Sequence, residues 1–298
     1  MLKNRLVALF CLVTLPLLVP APAALADTLA GIAERGTIRL GVRTDAIAFS
    51  YTNELGETAG YSVELCRAIA ADIKEQHDLE TLNVEYVEVT TEDRFEAVTE
   101  GRIDLLCGAT TVTLSRRAMV DFSVPTFVTG MGVLYRADGP ASFAELAGKT
   151  IGLRQGTLPA PDLVLSLAWF WYRRGFMTIG LRQGTTTEDV LERELTAAGL
   201  EATFMGVDSH QAGVAALEAG TIDAYFADRA ILVFLQFTSE TPEKLRVGER
   251  QFSHEPYALA MPLGDTAFRL AVDGAISRIF RSTLLERIYT ASFGDADP

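Results

Sequence analysis

The chain has 298 residues, of which 49% are hydrophobic and 22% are charged, and its formal net charge is −13. This length allows one large or two medium domains, and the apolar fraction is sufficient for a sizeable core. The acidic balance disfavours binding of nucleic acid or anionic lipid through a general basic surface. An anionic ligand would therefore have to be bound by arginines placed at one site.

The first 26 residues have the pattern of a secretory signal peptide. Lys3 and Arg5 precede an apolar run, and Ala24 and Ala26 stand at the positions that a signal peptidase recognises. A membrane anchor is the alternative, but prolines interrupt the run, which is shorter than the roughly 20 residues of a spanning helix. We therefore expect cleavage after Ala26 and a periplasmic mature protein of residues 27–298.

Two cysteines, Cys66 and Cys107, remain after this cleavage. Cys66 is expected in the middle of a helix and Cys107 in a buried strand, where free thiols are common. We therefore expect two free thiols, with a disulfide as the alternative. Neither cysteine has metal-ligand spacing, and His77, His210 and His254 do not cluster with them. The sequence predicts no metal site.

From Thr37 onward, short apolar runs alternate with segments of helical periodicity. In chain order these are TIRLGVR, GYSVELCRAIAADIKEQ, LNVEYVEV, TEDRFEAVTEGR and IDLLCGA. Strands that alternate with helices predict an α/β fold with largely parallel sheets. The helix that begins at Ser62 is expected to pack one apolar face against the core.

A second run of the same kind follows the extended stretch DFSVPTFVTGMGVLYRADGP. It contains SFAELAGKTIGLRQGT, TTEDVLERELTAAGL, EATFMGV, SHQAGVAALEAGT and IDAYFADR. In AVTEGRIDLLCG and in ALEAGTIDAYFA, a helix ends at a glycine and a short strand follows. We therefore expect two lobes of related architecture. After an extended YALAMP, helices over residues 265–280 and 283–289 are expected to complete the first lobe.

Cations and hydroxyls follow several of the predicted strands. They are Arg43 after TIRLGV, Thr91 and Arg94 after VEYVEV, Thr111 and Arg116 in CGATTVTLSRR, and the GTTTED turn of residues 184–189. Ligands of open α/β sheets bind beyond the carboxyl ends of strands, and the arginine fork matches a carboxylate. Three arginines could thus bind two carboxylates, and Asp228 could bind an ammonium group. The simpler alternative is that each arginine is exposed or paired with a neighbouring acid.

Five motifs, taken in order, resemble those of the extracellular solute-binding proteins, family 3, of ABC amino-acid importers. They are GVRTDAIAFSYTNELGETAGYSVEL, TTEDRFEAVTEGRIDLLCGATTVTLSRR, DFSVPTFV, GKTIGLRQGT with GTTTEDVL, and ALEAGTIDAYFAD. The chain is most similar to the glutamate/aspartate-binding members. The resemblance implies a type II periplasmic binding protein fold, in which two lobes of mixed sheets flanked by helices are joined by two hinge crossovers. Lobe 1 would comprise residues 27–130 and 253–298, and lobe 2 residues 131–252.

The resemblance also implies which residues bind the α-groups of an amino acid. Arg116 would bind the α-carboxylate, and Thr111 would assist it. Thr185 and Thr186 of the GTTT turn would add donors to the same carboxylate. Asp228 would face the α-ammonium.

A second set of residues would bind the side chain of an acidic ligand. Arg43 and Arg94, beside Thr91, match the arginines that hold the side-chain carboxylate in that subgroup. His210 could donate to the same carboxylate. Ala109 stands where a serine hydroxyl is expected, so its backbone amide would be the donor and the affinity would be weaker or slightly altered.

The eight residues TIGLRQGT occur twice, over residues 150–157 and 178–185. Removing 28 residues, about 150–177 or 158–185, restores a continuous family pattern, so an insertion in lobe 2 explains the repeat. Thr185 to Glu188 fit a capping box that opens the helix DVLEREL, whereas no acid or amide stands at the matching place after the first copy. We therefore expect the second copy to form the strand, with the insertion leaving from the strand's amino end, away from the cleft.

The sequence thus predicts a monomeric periplasmic protein that captures L-glutamate or L-aspartate and presents it to an ABC permease in the inner membrane, without a metal or another cofactor. A neutral ligand such as glutamine would leave Arg43 and Arg94 desolvated without an anion, which is costly. The alternatives are a binder of another polar amino acid, a sensor module, and a dehydratase-type enzyme with Glu92 or Glu188 as its general acid.

Overall fold

The computed structural model describes residues 27–146, 150–154, 186–200, 202–207 and 209–294. The predicted signal peptide, most of the inserted segment and the second copy of TIGLRQGT lie outside these residues. No helix within the described ranges is long and apolar enough to cross a membrane.

Helices and short strands alternate along the described chain. The α-helices are α1 (Thr28–Arg35), α2 (Tyr61–Gln76), α3 (Arg94–Thr99), α4 (Leu114–Arg117), α5 (Thr186–Ala198), α6 (His210–Glu218), α7 (Arg229–Thr238), α8 (Thr266–Phe280) and α9 (Thr283–Phe293). The strands are β1 (Thr37–Val42), β2 (Asp45–Ala46), β3 (Ser50–Thr52), β4 (Thr58–Ala59), β5 (Asn83–Glu88), β6 (Leu105–Cys107), β7 (Asp121–Phe122), β8 (Phe127–Thr129), β9 (Met131–Arg136), β10 (Thr150–Arg154), β11 (Thr203–Val207), β12 (Ala224–Asp228), β13 (Leu245–Val247), β14 (Glu255–Tyr257) and β15 (Ala260–Met261). Short 3-10 helices cover Phe143–Leu146 and Pro242–Lys244.

Two five-stranded sheets form the frame of the molecule. The first has the order β5-β1-β6-β15-β7 and the second the order β11-β10-β12-β9-β13. In both, three parallel strands are followed by one antiparallel strand and then by a strand antiparallel to that one. The predicted α/β fold with mixed sheets and two related halves is confirmed.

The chain passes between the sheets twice. It leaves the first sheet through β8 and returns through β14, and these two strands pair with each other in an antiparallel ladder. After the return, β15 enters the first sheet beside β6. The predicted lobe boundaries, 27–130, 131–252 and 253–298, stay a prediction.

Helix α2 follows from the spacing of its apolar residues. Val63, Cys66, Ile69, Ala70 and Ile73 are buried on one face at helical intervals. Each large aliphatic side chain buried in this way stabilises the fold by roughly 1.5–3 kcal/mol. Helices α8 and α9 both pack against α2. The end of the chain therefore packs against a helix of the first half of the molecule.

The matched segments AVTEGRIDLLCG and ALEAGTIDAYFA fold alike. Helices α3 and α6 are followed by Gly101 and Gly220, whose φ angles are 67° and 70°. Such left-handed values favour glycine, which ends a helix in this way at low cost. The chain then enters β6 in the first case and β12 in the second, so this prediction is confirmed.

Cys66 and Cys107 form a disulfide, with their Cα atoms 6.2 Å apart. The expectation of two free thiols was therefore wrong. Both residues were correctly placed, one in α2 and one in β6, and both are fully buried. Helix α2 contacts β6 directly. Periodicity predicts which face of each element is buried, but it does not predict which buried residues lie opposite one another.

The first copy of TIGLRQGT forms strand β10, between β11 and β12. The prediction that the second copy enters the sheet was therefore wrong. Because the two copies are identical, both offer the same backbone and side-chain groups for strand pairing. The residues that precede each copy therefore decide which copy enters the sheet. Phe143 and Leu146, shortly before the first copy, are buried in the core of the second sheet and hold the chain there. Of the two predicted bounds for the insertion, 158–185 is the one consistent with this strand, and the insertion itself stays a prediction.

Candidate functional site

Three arginines lie buried near the carboxyl ends of strands of the first sheet. Arg43 directly follows β1, Arg94 opens α3, and Arg116 lies in α4. Their relative exposures are only 5%, 3% and 9%. Arg43 and Arg116 both lower the pKa of Arg94 by charge repulsion, so the three belong to one cluster. The alternative that these arginines are exposed is excluded, whereas its other form, pairing with a neighbouring acid, holds for Arg43.

Arg43 is held by a neighbouring acid. Its Nε donates to Asp45 Oδ1 at 2.9 Å, and its backbone amide donates to Ser50 Oγ at 2.8 Å. Burial lowers the pKa of Arg43 to about 10, while Tyr257, Glu92 and Asp228 oppose the change. The guanidinium therefore remains charged at neutral pH but has lost much of its hydration.

Arg94 lies beside Thr91, as the sequence predicted. Its Nη1 donates to the Thr91 carbonyl oxygen, and its Cζ lies 4.7 Å from the centre of the Phe95 ring. Burial and then the neighbouring arginines lower the pKa of Arg94 to about 9. The Thr91 hydroxyl oxygen is buried without a hydrogen-bond partner in the described part of the chain. A buried hydroxyl of this kind is costly unless a ligand or water satisfies it.

Arg116 is anchored to the loop that precedes it. Its Nη1 donates to the Thr111 carbonyl oxygen at 2.7 Å, and its backbone amide donates to Thr113 Oγ1 at 3.2 Å. Its Cζ lies 5.4 Å from the centre of the Phe95 ring, so this ring contacts two guanidinium groups. Burial lowers the pKa of Arg116, while Glu255 and Asp228 oppose the change.

The loop after β6 is attached to strand β14. Val112 N donates to Pro256 O at 2.9 Å, and Ala258 N donates to Thr110 O at 3.1 Å. Within this loop, Ala109 is partly buried against the core. The Thr110 hydroxyl is buried and has no hydrogen-bond partner among the described residues. The sequence motifs did not single out Thr110, and its buried hydroxyl makes it a further candidate for the site.

Asp228 brings a carboxylate from the second sheet to the same cluster. It ends β12, and the Tyr257 hydroxyl donates to its Oδ2. Burial, and next the charge of Glu255, raise the pKa of Asp228 to about 7, while the Tyr257 hydrogen bond, Arg116 and Arg43 lower it. Burial also raises the pKa of Tyr257 well above its usual value. Tyr257 therefore donates its proton rather than ionising.

Glu255 is a second buried carboxylate that the sequence did not single out. It is 3% exposed and accepts hydrogen bonds from Thr111 Oγ1 at 2.8 Å and from Ser253 Oγ at 2.6 Å. The available signal was an acidic residue at the start of the extended apolar segment EPYALAM, because a carboxylate buried beside such a segment requires polar partners.

The structure thus brings together six of the ten predicted residues. These are Arg43, Thr91, Arg94, Thr111, Arg116 and Asp228. His210 opens α6, is buried, and has its Nδ1 2.8 Å from the Tyr225 hydroxyl in the second half of the molecule. Thr186 is the first residue of α5, and Thr185 lies outside the described residues. Within the described ranges, no cluster of His, Cys, Asp and Glu side chains could hold a metal ion.

Two similar sheets joined by two crossing strands, with a buried charged cluster at the ends of their strands, define a two-lobed ligand-binding protein. The chain belongs to the bacterial extracellular solute-binding proteins, family 3, whose model matches residues 38–295. The resemblance found in the sequence motifs is therefore confirmed.

Curated relatives cover most of the chain. It is 30% identical over 276 residues to an L-glutamate/L-aspartate-binding protein of Pseudomonas aeruginosa, which covers 92% of this chain and 82% of the relative. It is 25% identical over 279 residues to a glutamate/aspartate import solute-binding protein of Salmonella typhimurium, covering 93% and 83%. It is also 24% identical over 264 residues to an ABC transporter glutamine-binding protein of Bacillus subtilis, covering 88% and 83%.

Solved structures show the same fold. The crystal structure of an ancestral amino acid-binding protein, described as a precursor of cyclohexadienyl dehydratase, matches with a TM-score of 0.69 and 21% identity. The match covers 90% of this chain and all of that one. At this identity the likeness concerns the fold alone.

Proposed function

We propose that the protein is the substrate-binding component of an ABC importer for the acidic amino acids L-glutamate and L-aspartate. The observation that carries this proposal is the cluster of three buried arginines that faces the carboxylate of Asp228. A ligand with two carboxylates and one ammonium can pair with these arginines and with Asp228, and Asp45 already pairs with one of the arginines, Arg43. It acts as a monomer in the periplasm and passes its ligand to a permease in the inner membrane.

The α-groups of the ligand are assigned to one part of the cluster. Arg116 binds the α-carboxylate, because the Thr111 carbonyl and the Phe95 ring hold its guanidinium in place. Asp228 binds the α-ammonium, which favours the ionised form of this carboxyl group. The backbone amide at Ala109 and the hydroxyl groups of Thr185 and Thr186 are further proposed donors to the α-carboxylate.

The side-chain carboxylate of the ligand is assigned to Arg43 and Arg94. Both guanidinium groups are charged and poorly hydrated, and an anion compensates this cost. The unsatisfied Thr91 hydroxyl lies beside Arg94 and can donate to the same anion. His210 is proposed as a further donor to this carboxylate. A neutral amide would bring no charge to this part of the cluster, so glutamine is the disfavoured ligand.

One observation favours a second candidate function. With a pKa of about 7, the Asp228 carboxyl is protonated to a useful extent at neutral pH and could act as a general acid. This would suit a dehydratase-type enzyme on the same scaffold, although Glu92, one acid predicted for that role, is exposed. Incubation with a cyclic, prephenate-like acid followed by product analysis tests this alternative. The named relatives are solute-binding proteins, which favours binding as the function.

The experiment that tests the proposal is calorimetric titration with L-glutamate, L-aspartate and L-glutamine. The unmodified protein should bind one acidic amino acid per chain and prefer it to glutamine. Arg43→Ala and Arg94→Ala should each weaken glutamate binding by about a hundredfold or more, because each leaves a buried carboxylate unpaired. Glutamine affinity should change much less.

The matched control is Arg102→Ala. Arg102 lies just after α3, is partly exposed and pairs with Asp93 and Glu100, so its removal should leave glutamate affinity unchanged. Unchanged glutamate affinity in both Arg43→Ala and Arg94→Ala would overturn the assignment to acidic ligands.

A further inference from the structure

The direction of the hydrogen bonds around Glu255 can be deduced from the donors. The backbone N–H of Met131 can only donate, and it donates to Ser253 Oγ at 2.8 Å. Ser253 in turn donates its single hydroxyl proton to Glu255 Oε1 at 2.6 Å. The other oxygen, Oε2, accepts the Thr111 hydroxyl proton at 2.8 Å. Both oxygens of the carboxylate therefore act as acceptors.

This arrangement uses the only proton of the Thr111 hydroxyl. A hydroxyl group has one proton and two lone pairs, so Thr111 retains only acceptor capacity for any further partner. The resemblance to the family implied only that Thr111 assists Arg116 at the α-carboxylate, without naming the atom. In this structure Thr111 assists Arg116 through its carbonyl oxygen.

The backbone holds Thr111 in this position. The loop on both sides of it is hydrogen-bonded to the strand that carries Glu255, through Val112 N to Pro256 O and Ala258 N to Thr110 O. Thr111 itself forms an isolated antiparallel bridge with Tyr257. Moving Thr111 away from Glu255 would break these bonds, so the Thr111 hydroxyl is kept within hydrogen-bond distance of the Glu255 carboxylate.

We propose that Glu255 is a positioning residue that fixes the polarity of the Thr111 hydroxyl and thereby selects ligands with a donor on the α-carbon. The inference rests on the proposed function, because it concerns the same site. An α-ammonium donates to Thr111 and to Asp228. When Asp228 is ionised, a 2-oxo group would place its oxygen lone pair against two acceptors, the Thr111 hydroxyl oxygen and the Asp228 carboxylate, and a methylene group would satisfy neither.

The experiment compares L-glutamate with two dicarboxylates of the same length, 2-oxoglutarate and glutarate. Titrations are made on the unmodified protein, Glu255→Gln, Thr111→Val and the double variant. The unmodified protein should prefer glutamate to either analogue by more than about a hundredfold, since unpaired buried acceptors are strongly discriminating. Glu255→Gln should reduce this ratio at least about tenfold, because the glutamine amide can donate to Thr111 and free its proton.

A double-mutant cycle separates this role from independent effects. Thr111→Val should reduce the ratio to a similar extent, and the double variant should fall no further than the lower single variant. Glu249→Gln is the matched control, because it removes the same charge from an exposed position of the same segment. It should leave the ratio unchanged.

Three results would overturn this inference without affecting the proposed function. The first is an unchanged ratio of glutamate affinity to analogue affinity in Glu255→Gln or Thr111→Val. The others are an equal loss of affinity for glutamate and both analogues, and additive effects in the double variant. If Glu255→Gln does not fold, Thr111→Val still tests the polarity of the hydroxyl. Failure of the unmodified protein to bind glutamate would overturn the proposed function and this inference with it.

Discussion

The two sheets of this protein have similar architecture but present side chains of opposite charge at the ends of their strands. Both have the same pattern of parallel and antiparallel strands and the same unit of helix, left-handed glycine and strand, although the antiparallel fourth strand comes last along the chain in the first sheet (β15) and first in the second (β9). After that strand, the first sheet continues into the loop of Thr111 and Arg116, whereas the second ends at Asp228. The comparison teaches that the architecture of the sheets is repeated, whereas the charged side chains at the ends of their strands are not. A zwitterionic ligand requires the arginines of the first sheet and the carboxylate of the second.

The largest loss of stability is expected from a substitution in β10, the strand of the second sheet whose sequence occurs twice in the chain. Gly152 is central in β10 and stands opposite Met205 on one side and Tyr225 on the other. Proline lacks the amide proton and is excluded from central strands, so Gly152→Pro should destabilise the protein by about 3 kcal/mol or more. The free energy of unfolding is measured by denaturant titration.

Gly180→Pro is the matched control, because Gly180 occupies the same place in an identical eight-residue segment. It should leave the free energy of unfolding nearly unchanged. The reverse pattern, a stable Gly152→Pro and a destabilised Gly180→Pro, would show that the second copy forms the strand in solution.

A smaller effect concerns the carboxylate that the second sheet contributes. The proposed contact with the ligand ammonium would favour ionised Asp228, whose pKa is raised to about 7 by burial. Glutamate affinity should therefore fall by up to about tenfold for each pH unit below 7, as expected for one coupled proton. Asp228→Asn should bind more weakly at pH 8 and lose this pH dependence. A parallel decline of both proteins between pH 8 and 5 would contradict the assignment.

The same group should affect the stability of the ligand-free protein in the opposite direction. Its pKa is raised from 3.8, so the folded protein binds a proton more tightly than the unfolded chain. Its contribution to stability is therefore fully present below pH 3.8 and is lost as the pH rises through about 7. The difference in unfolding free energy between the unmodified protein and Asp228→Asn should change across this interval. The charged and polar groups that face Asp228 are Tyr257, Glu255, Arg116 and Arg43.

The smallest effect tests the equivalence of the two sheets directly. Gly101→Ala and Gly220→Ala should each cost about 1 kcal/mol, because both impose a side chain on a left-handed residue. Space is not the cause, since among the described residues a Cβ would meet nothing within 4 Å at Gly101 and only Arg136 Nη1 at 3.6 Å at Gly220. Gly274→Ala, inside α8, is the control and should be neutral or stabilising. Unequal costs at the two positions would contradict the equivalence.

Much of the fold could be predicted from the sequence because it depends on local patterns. Alternating strands and helices, the two helix-ending glycines and the arginines that follow strands are all visible along the chain. The missing features are contacts between distant segments. Thr111 and Glu255 are 144 residues apart, and their pairing depends on β14 returning beside the loop after β6. The choice between identical strand copies was equally inaccessible, because it depends on how the preceding turn packs.

The disulfide has a consequence for the order in which the two sheets form. Cys66 and Cys107 are separated by 41 positions, and the ring that they close contains β5 and α3. This ring persists when the oxidised chain unfolds. The disulfide therefore lowers the entropic cost of folding the enclosed segment by about 4 kcal/mol. The second sheet must bring β10 to β12 across about seventy intervening residues, which slows its nucleation. The half of the molecule that carries the arginines is therefore expected to refold first. The second half is then expected to form while β14 returns the chain to this folded surface.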